Sequence, residues 1–181
     1  AQTELELDMR GYVLPLRSGP LTTVQTASVI GFIKSNYVPE GEDYPDIEIA
    51  YYPSITPPEN QDCSTNVISE TEVYDRLTFV ASVIRPESTG YIVINSTDPF
   101  EHPLIFPNYL NSSKDVDTIV QGFNFGVKAL QNSVLKNAGY KLNTTQIELC
   151  KDYEFGTDDY WICLARNYTR PMFHPAGTCK M

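Results

Sequence analysis

A chain of 181 residues, 41% of them hydrophobic, is long enough for one domain with a real core, and this composition argues against disorder. The formal net charge of -10, from 13 basic against 23 acidic side chains, disfavours nucleic acid, because phosphate binding draws on clustered lysine and arginine. No stretch approaches the roughly 18 uninterrupted apolar residues of a membrane helix, and no basic start leading into an apolar run is present.

Residues 1–20 hold Asp8, Arg10, Gly11, Pro15, Gly19 and Pro20 without sustained periodicity, which reads as an entering arm ahead of a domain at residues 21–170. The β-branched run from Leu21 to Ile33 predicts one or two strands, with Val24, Val29, Ile30 and Ile33 favouring the pleated form. Ile47, Ile49 and Tyr51 then alternate with Glu48, Ala50 and Tyr52 at the period of a strand. Pro53, Pro57 and Pro58 end it and open a polar loop through Asp62. From Arg76 to Asn95 the pattern predicts a hairpin of antiparallel neighbours. Leu77, Phe79, Ala81 and Val83 share one face, Tyr91 and Val93 return, and Pro86-Glu87-Ser88-Thr89-Gly90 is the turn. The proline-dense stretches at 98–103 and 106–109 predict irregular backbone.

Ser112 and Asp115 resemble a capping box opening a long helix whose stripe runs Val116, Ile119, Val120, Phe123, Val127, Leu130 and Val134. Gly122 and Gly126 inside it either mark close approach by another element or are simply tolerated, and Gly139 is a stop. Thr157 is positioned to cap a shorter helix, with Asp158 and Asp159 at the positive end of its dipole and Pro171 beyond its end. Strands precede helices, so the predicted class is α+β, an antiparallel sheet flanked by helices.

Four tripeptides, beginning at Asn95, Asn111, Asn143 and Asn167, satisfy the N-glycosylation pattern and favour a secreted or extracellular protein. Cys150 and Cys163 enclose a short loop that a disulfide would stabilise by about 3 kcal/mol; Cys63 and Cys179 have no local mates. The alternative is four free thiols in a cytosolic protein.

Two histidines limit the proton chemistry. His102 lies in an acidic, proline-rich loop and reads as an exposed loop residue. His174 is followed by Pro175, Ala176, Gly177 and Thr178, a rigid then permissive turn that allows backbone to approach a bound ring system. The spacing of the cysteines and histidines supplies no metal pairs, so no metal site is expected. Gly-x-Ser-x-Gly is absent, and so is the Gly-x-Gly-x-x-Gly that would begin a dinucleotide-binding unit. No residue of this chain is therefore assigned to hold a cofactor.

The segment from Phe173 to Met181, Phe-His-Pro-Ala-Gly-Thr-Cys-Lys-Met, resembles the histidine segment of the glucose-methanol-choline (GMC) oxidoreductases, in particular the insect glucose-dehydrogenase-like branch. A second block agrees: Val83-Ile84-Arg85-Pro86-Glu87-Ser88-Thr89-Gly90-Tyr91, then Asp98-Pro99-Phe100, Pro103-Leu104-Ile105 and Pro107-Asn108-Tyr109-Leu110. Smaller agreements are Gly19-Pro20-Leu21, Tyr44-Pro45-Asp46-Ile47 and Asp158-Asp159-Tyr160-Trp161. Thr89 departs from the arginine usual before the hairpin glycine, and Ile92 or Val93 from a basic residue, which bears on the subfamily more than on the fold.

The resemblance implies that residues 21–170 form a substrate-binding domain, and that 171–181 return to an FAD-binding domain the chain does not contain. The fold would then be truncated before the end of that domain. It implies FAD as cofactor and a small alcohol or sugar as substrate. His174 is then the base that takes the hydroxyl proton as hydride leaves for the flavin, a role an imidazole fills near neutral pH. It also implies a companion chain or segment carrying the glycine motif, without which these 181 residues are inactive. Two other readings suit the same residues: a lyase or degenerate member that keeps flavin without net oxidation, and a non-enzymatic secreted glycoprotein module.

Overall fold

The computed structural model describes residues 29–54, 76–171 and 174–177. The expected arm, residues 21–28 of the first β-branched run, the polar loop after Ser54, Cys63 and Cys179 lie outside the described residues. Element order is β1 (Val29–Ile33), β2 (Ile47–Ser54), β3 (Arg76–Val83), β4 (Tyr91–Val93), β5 (Leu104–Phe106), α1 (Ser113–Leu130), α2 (Ser133–Asn137), a 3-10 turn (Glu148–Cys150) and α3 (Asp158–Tyr168). The fold is α+β, with antiparallel strands and three helices. One sheet has the order β1-β2-β3; the other is the two-stranded ribbon β4-β5.

The chain divides into two units. In the first, described at residues 29–31, 49–54 and 76–80, Ile49 and Ala50 are buried, and the rings of Tyr51 and Phe79 meet at 5.5 Å. The Tyr51 hydroxyl is buried without a hydrogen-bond partner among the described residues, and burial raises its pKa. β2 continues one residue beyond Pro53, at which the sequence predicts an end.

The second unit holds residues 32–48 and 81 onward. Its core gathers Val120 of α1, Cys150, and Tyr160 and Trp161 of α3, with Phe123, Val127, Phe155 and Leu164 packed around them. Phe123, Phe155 and Tyr160 all meet the Trp161 ring at 5.1–5.5 Å, tilted or edge-on, arrangements that add to plain area burial. The indole N–H donates to Asn124 Oδ1 at 3.1 Å, so Trp161 is buried with its polar atom satisfied. Gly122 and Gly126 are both buried in α1, the helix that packs on α3. Sγ of Cys150 and of Cys163 are bonded to each other.

α3 begins as its sequence predicts: Thr157 is the N-cap and accepts from the Tyr160 N–H at 3.3 Å, with Asp158 and Asp159 in the first turn. α1 begins at the predicted cap, Ser112, which accepts from the Lys114 N–H. Two departures follow. The helix stops at Leu130, because Asn132 caps a separate short helix, α2, by accepting from the Val134 N–H, and this turns Val134 out to 72% exposure. Gly139, with φ of 88°, follows α2. The reciprocal half of the capping box is also not made, since Asp115 spends its carboxylate elsewhere.

The predicted hairpin is the larger correction. β3 and β4 belong to different sheets, and β4 pairs antiparallel with β5 in the register Tyr91↔Phe106, Ile92↔Ile105, Val93↔Leu104. Residues 86–90 are a docking loop instead of a turn. Asp115, 2% exposed, accepts from the Glu87 and Ser88 N–H groups at 2.8 Å each, and the Ser112 N–H donates to Ser88 Oγ at 2.9 Å. The loop's backbone donors are thus drawn to the start of α1, where a buried carboxylate is stabilised by them. Gly90 lies against the chain beyond β5, where a Cβ would come within 2.6 Å of the Pro107 carbonyl oxygen and closer still to that of Phe106. The irregular backbone predicted at 106–109 yields only at its first residue, because Phe106 closes β5. Pro103 and Pro107 flank that short strand instead of interrupting its ladder.

Candidate active-site segment

His174 lies beyond the C-terminal end of α3, in residues 174–177, which have no regular structure. α3 is closed at Thr169, whose N–H donates to the Ala165 carbonyl at 3.0 Å, and Pro171 cannot donate to continue the ladder. The imidazole is exposed and makes no hydrogen bond or ion pair to a described residue. After Pro175 and Ala176 the backbone reaches Gly177 at φ of 89°, the left-handed region where a side chain is strained. A Cβ there would meet nothing within 4 Å. The segment therefore presents an imidazole on a narrow, small-residue backbone with open space beside it. Among the described residues, no second ionisable side chain is brought to His174.

His102 is exposed in the loop before β5, as its sequence context predicts. Asn95, Asn111, Asn143 and Asn167 are all exposed. No group of three or more histidine, cysteine or acidic side chains among the described residues is placed to hold a metal ion.

The feature that sequence reasoning missed is the latch joining the 86–90 loop to α1. Beside the two Asp115 bonds, Glu87 receives Lys114 Nζ at 2.7 Å and Ser112 Oγ at 3.2 Å. The lysine holds the Glu87 carboxyl below its ordinary range, and Glu87 in turn raises Lys114. Asn108 Nδ2 donates to the Thr89 carbonyl at 3.0 Å from a backbone with φ of 55°, and Leu110 beside it is buried at φ of 54°. The sequence signal that bears on this arrangement is an acidic residue, Asp115, at the third helical position of α1.

The latch, the ribbon, α1, α3 and His174 all fall in one stretch, and residues 86–181 match the family model described as GMC oxidoreductase. The chain belongs to the GMC oxidoreductase family. It is similar to the glucose dehydrogenase (FAD, quinone) of Drosophila pseudoobscura pseudoobscura, 43% identical over 100 residues that cover 55% of this chain and 16% of that protein. The corresponding protein of Drosophila melanogaster is 42% identical over the same shares. The alcohol dehydrogenase (acceptor) of Pseudomonas putida is 27% identical over 165 residues, 91% of this chain and 27% of that protein. This GMC chain thus spans a minor part of each curated relative it matches.

Proposed function

We propose that this chain is the substrate-side portion of a secreted, FAD-dependent GMC oxidoreductase that oxidises the CH–OH group of an alcohol or sugar, with His174 as the general base. The observation that supports it is an exposed imidazole, without a hydrogen bond or ion pair to a described residue, on a small-residue segment inside the matched GMC region. The relatives named for glucose and for alcohol dehydrogenation point to the same substrate class.

The residues present fit the reactive edge of a flavin and not its diphosphate. A Cβ at Gly177 would meet nothing within 4 Å, so open space adjoins the segment that carries His174. The phosphates need a glycine-rich turn that this sequence does not contain, so a companion chain or segment supplies that grip. When bound, FAD supplies the acceptor for the hydride leaving the carbinol carbon. One imidazole nitrogen of His174 accepts the hydroxyl proton, which raises electron density on the carbon losing hydride. Pro175 restricts the backbone that carries the imidazole, so less conformational freedom is lost when substrate is held against it.

The test is anaerobic reduction of flavin in the longer protein, followed as loss of its yellow absorbance on adding glucose or a primary alcohol. His174→Ala is expected to slow that bleaching by about 10²- to 10⁴-fold while the bound flavin is retained. Bleaching at near the normal rate in the variant removes His174 as base. Absence of bleaching in the unmodified protein by any alcohol or sugar favours instead a flavin-retaining lyase, or a non-catalytic module if no flavin is bound at all.

A further inference from the structure

The four N-glycosylation tripeptides are equal as sequence and unequal as structure. Asn95 Nδ2 donates to Glu101 Oε1 at 2.6 Å, between Ile94 and Phe100, which are 87% and 91% exposed. Asn111 precedes Ser112, whose N–H and hydroxyl are both committed to the latch, and its third residue, Ser113, is already the first residue of α1. Asn167 lies on the last turn of α3 with Nδ2 donating back to the Cys163 carbonyl at 2.9 Å, so the first two residues of its tripeptide are held helical and the third, Thr169, is the helix's C-cap.

Asn143 differs from Asn111 and Asn167 in lying clear of any helix, and from Asn95 in that its amide nitrogen makes no hydrogen bond to a described residue. Residues 140–147 have no regular structure, and 140–146 are exposed. Asn143 Oδ1 accepts from the Thr145 N–H at 3.0 Å, a local turn that brings the acceptor side chain to the backbone of the required hydroxyl residue. The loop is anchored at both ends. Gly139 follows α2 before it, and after it Gln146 Nε2 donates to the Tyr153 carbonyl at 2.8 Å and the Ile147 N–H to the Tyr160 hydroxyl at 3.4 Å. A bulky, solubilising group attached here would project from this loop without displacing a packed residue.

From this difference we infer that Asn143 is the principal N-glycan carrier of this chain, a proposal that rests on the secreted reading above. In the transfer, Asn143 Nδ2 attacks the anomeric carbon of a lipid-diphosphate-linked oligosaccharide. The new C–N bond forms as the C–O bond to the diphosphate breaks; the lipid diphosphate leaves with that electron pair, and the amide gives up one proton. No oxidant is involved. Transfer needs a tripeptide that is still accessible, and folding closes the helix at Asn167 and the latch beside Asn111 while leaving 140–146 open.

The experiment is secretion of the longer protein from insect cells behind an added leader, enzymatic deglycosylation in heavy-oxygen water, and peptide mass spectrometry. The heavy-oxygen mark is expected at Asn143 in most molecules, and Thr145→Val should abolish it while leaving secretion and bound flavin unchanged. An unmarked Asn143 in secreted protein overturns the inference, as does higher occupancy at Asn95, Asn111 or Asn167. Because the added leader forces the chain through the pathway, these results bear on the site and not on the native destination. Expression with the protein's own N-terminus tests that destination separately.

Discussion

The helical core around Trp161 and the β4–β5 ribbon are both rich in large apolar side chains, yet the first buries them and the second does not. Tyr160 and Trp161 are 2% and 6% exposed, whereas all six residues of the ribbon are exposed, Ile105 at 63%. Strand pairing and burial are thus separate achievements. A two-stranded ribbon is marginal by itself, and this one is held at its Tyr91–Phe106 end by a ring pair and by the loop beside it. Those holds are the stacked rings of Tyr91 and Phe106 at 4.7 Å, the close approach at Gly90 and the latch from Asp115.

Trp161→Ala should break the comparison at its strong end, costing about 3–5 kcal/mol in denaturant unfolding. A loss below about 1 kcal/mol would mean the cluster is not the core of its unit. Next comes the bond between Cys150 and Cys163, thirteen residues apart, which fastens the 3-10 turn to α3. Replacing both cysteines by serine should cost about 3 kcal/mol by loop closure, read in the same assay without reductant, and an unchanged midpoint would show that the thiols are free in solution. Gly90→Ala should cost about 1–3 kcal/mol, because the obstruction is backbone carbonyl and not a side-chain end that can move. Its signature is local: faster amide hydrogen exchange at residues 87–93 and 104–106 with the helices unaffected. Ile105→Thr marks the weak end of the comparison, with a change within about 0.5 kcal/mol in the chain by itself. A larger loss there would show the ribbon to be buried in solution.

What could be read from the sequence was decided locally. Ser112 and Thr157 start their helices because a hydroxyl before an apolar stripe satisfies an end N–H whatever the rest of the chain does. The hairpin at Pro86–Gly90 was not legible for the opposite reason. Proline and glycine at the two ends of a five-residue stretch suit a turn and a docked loop equally, and the choice was made by a carboxylate more than twenty-five residues away. Val134 went astray by one asparagine, since Asn132 offers the backbone a new cap where the apolar period alone would continue the helix. The histidine was legible as a residue but not as a site, because the groups that would meet it are not among those packed around it here.

The most direct test is a structure of the longer protein with FAD and an alcohol or sugar bound. The account predicts one imidazole nitrogen of His174 within about 2.6–3.2 Å of the hydroxyl being oxidised, beside the flavin ring. Another side chain in that position, with His174 turned away from the ring, would contradict it.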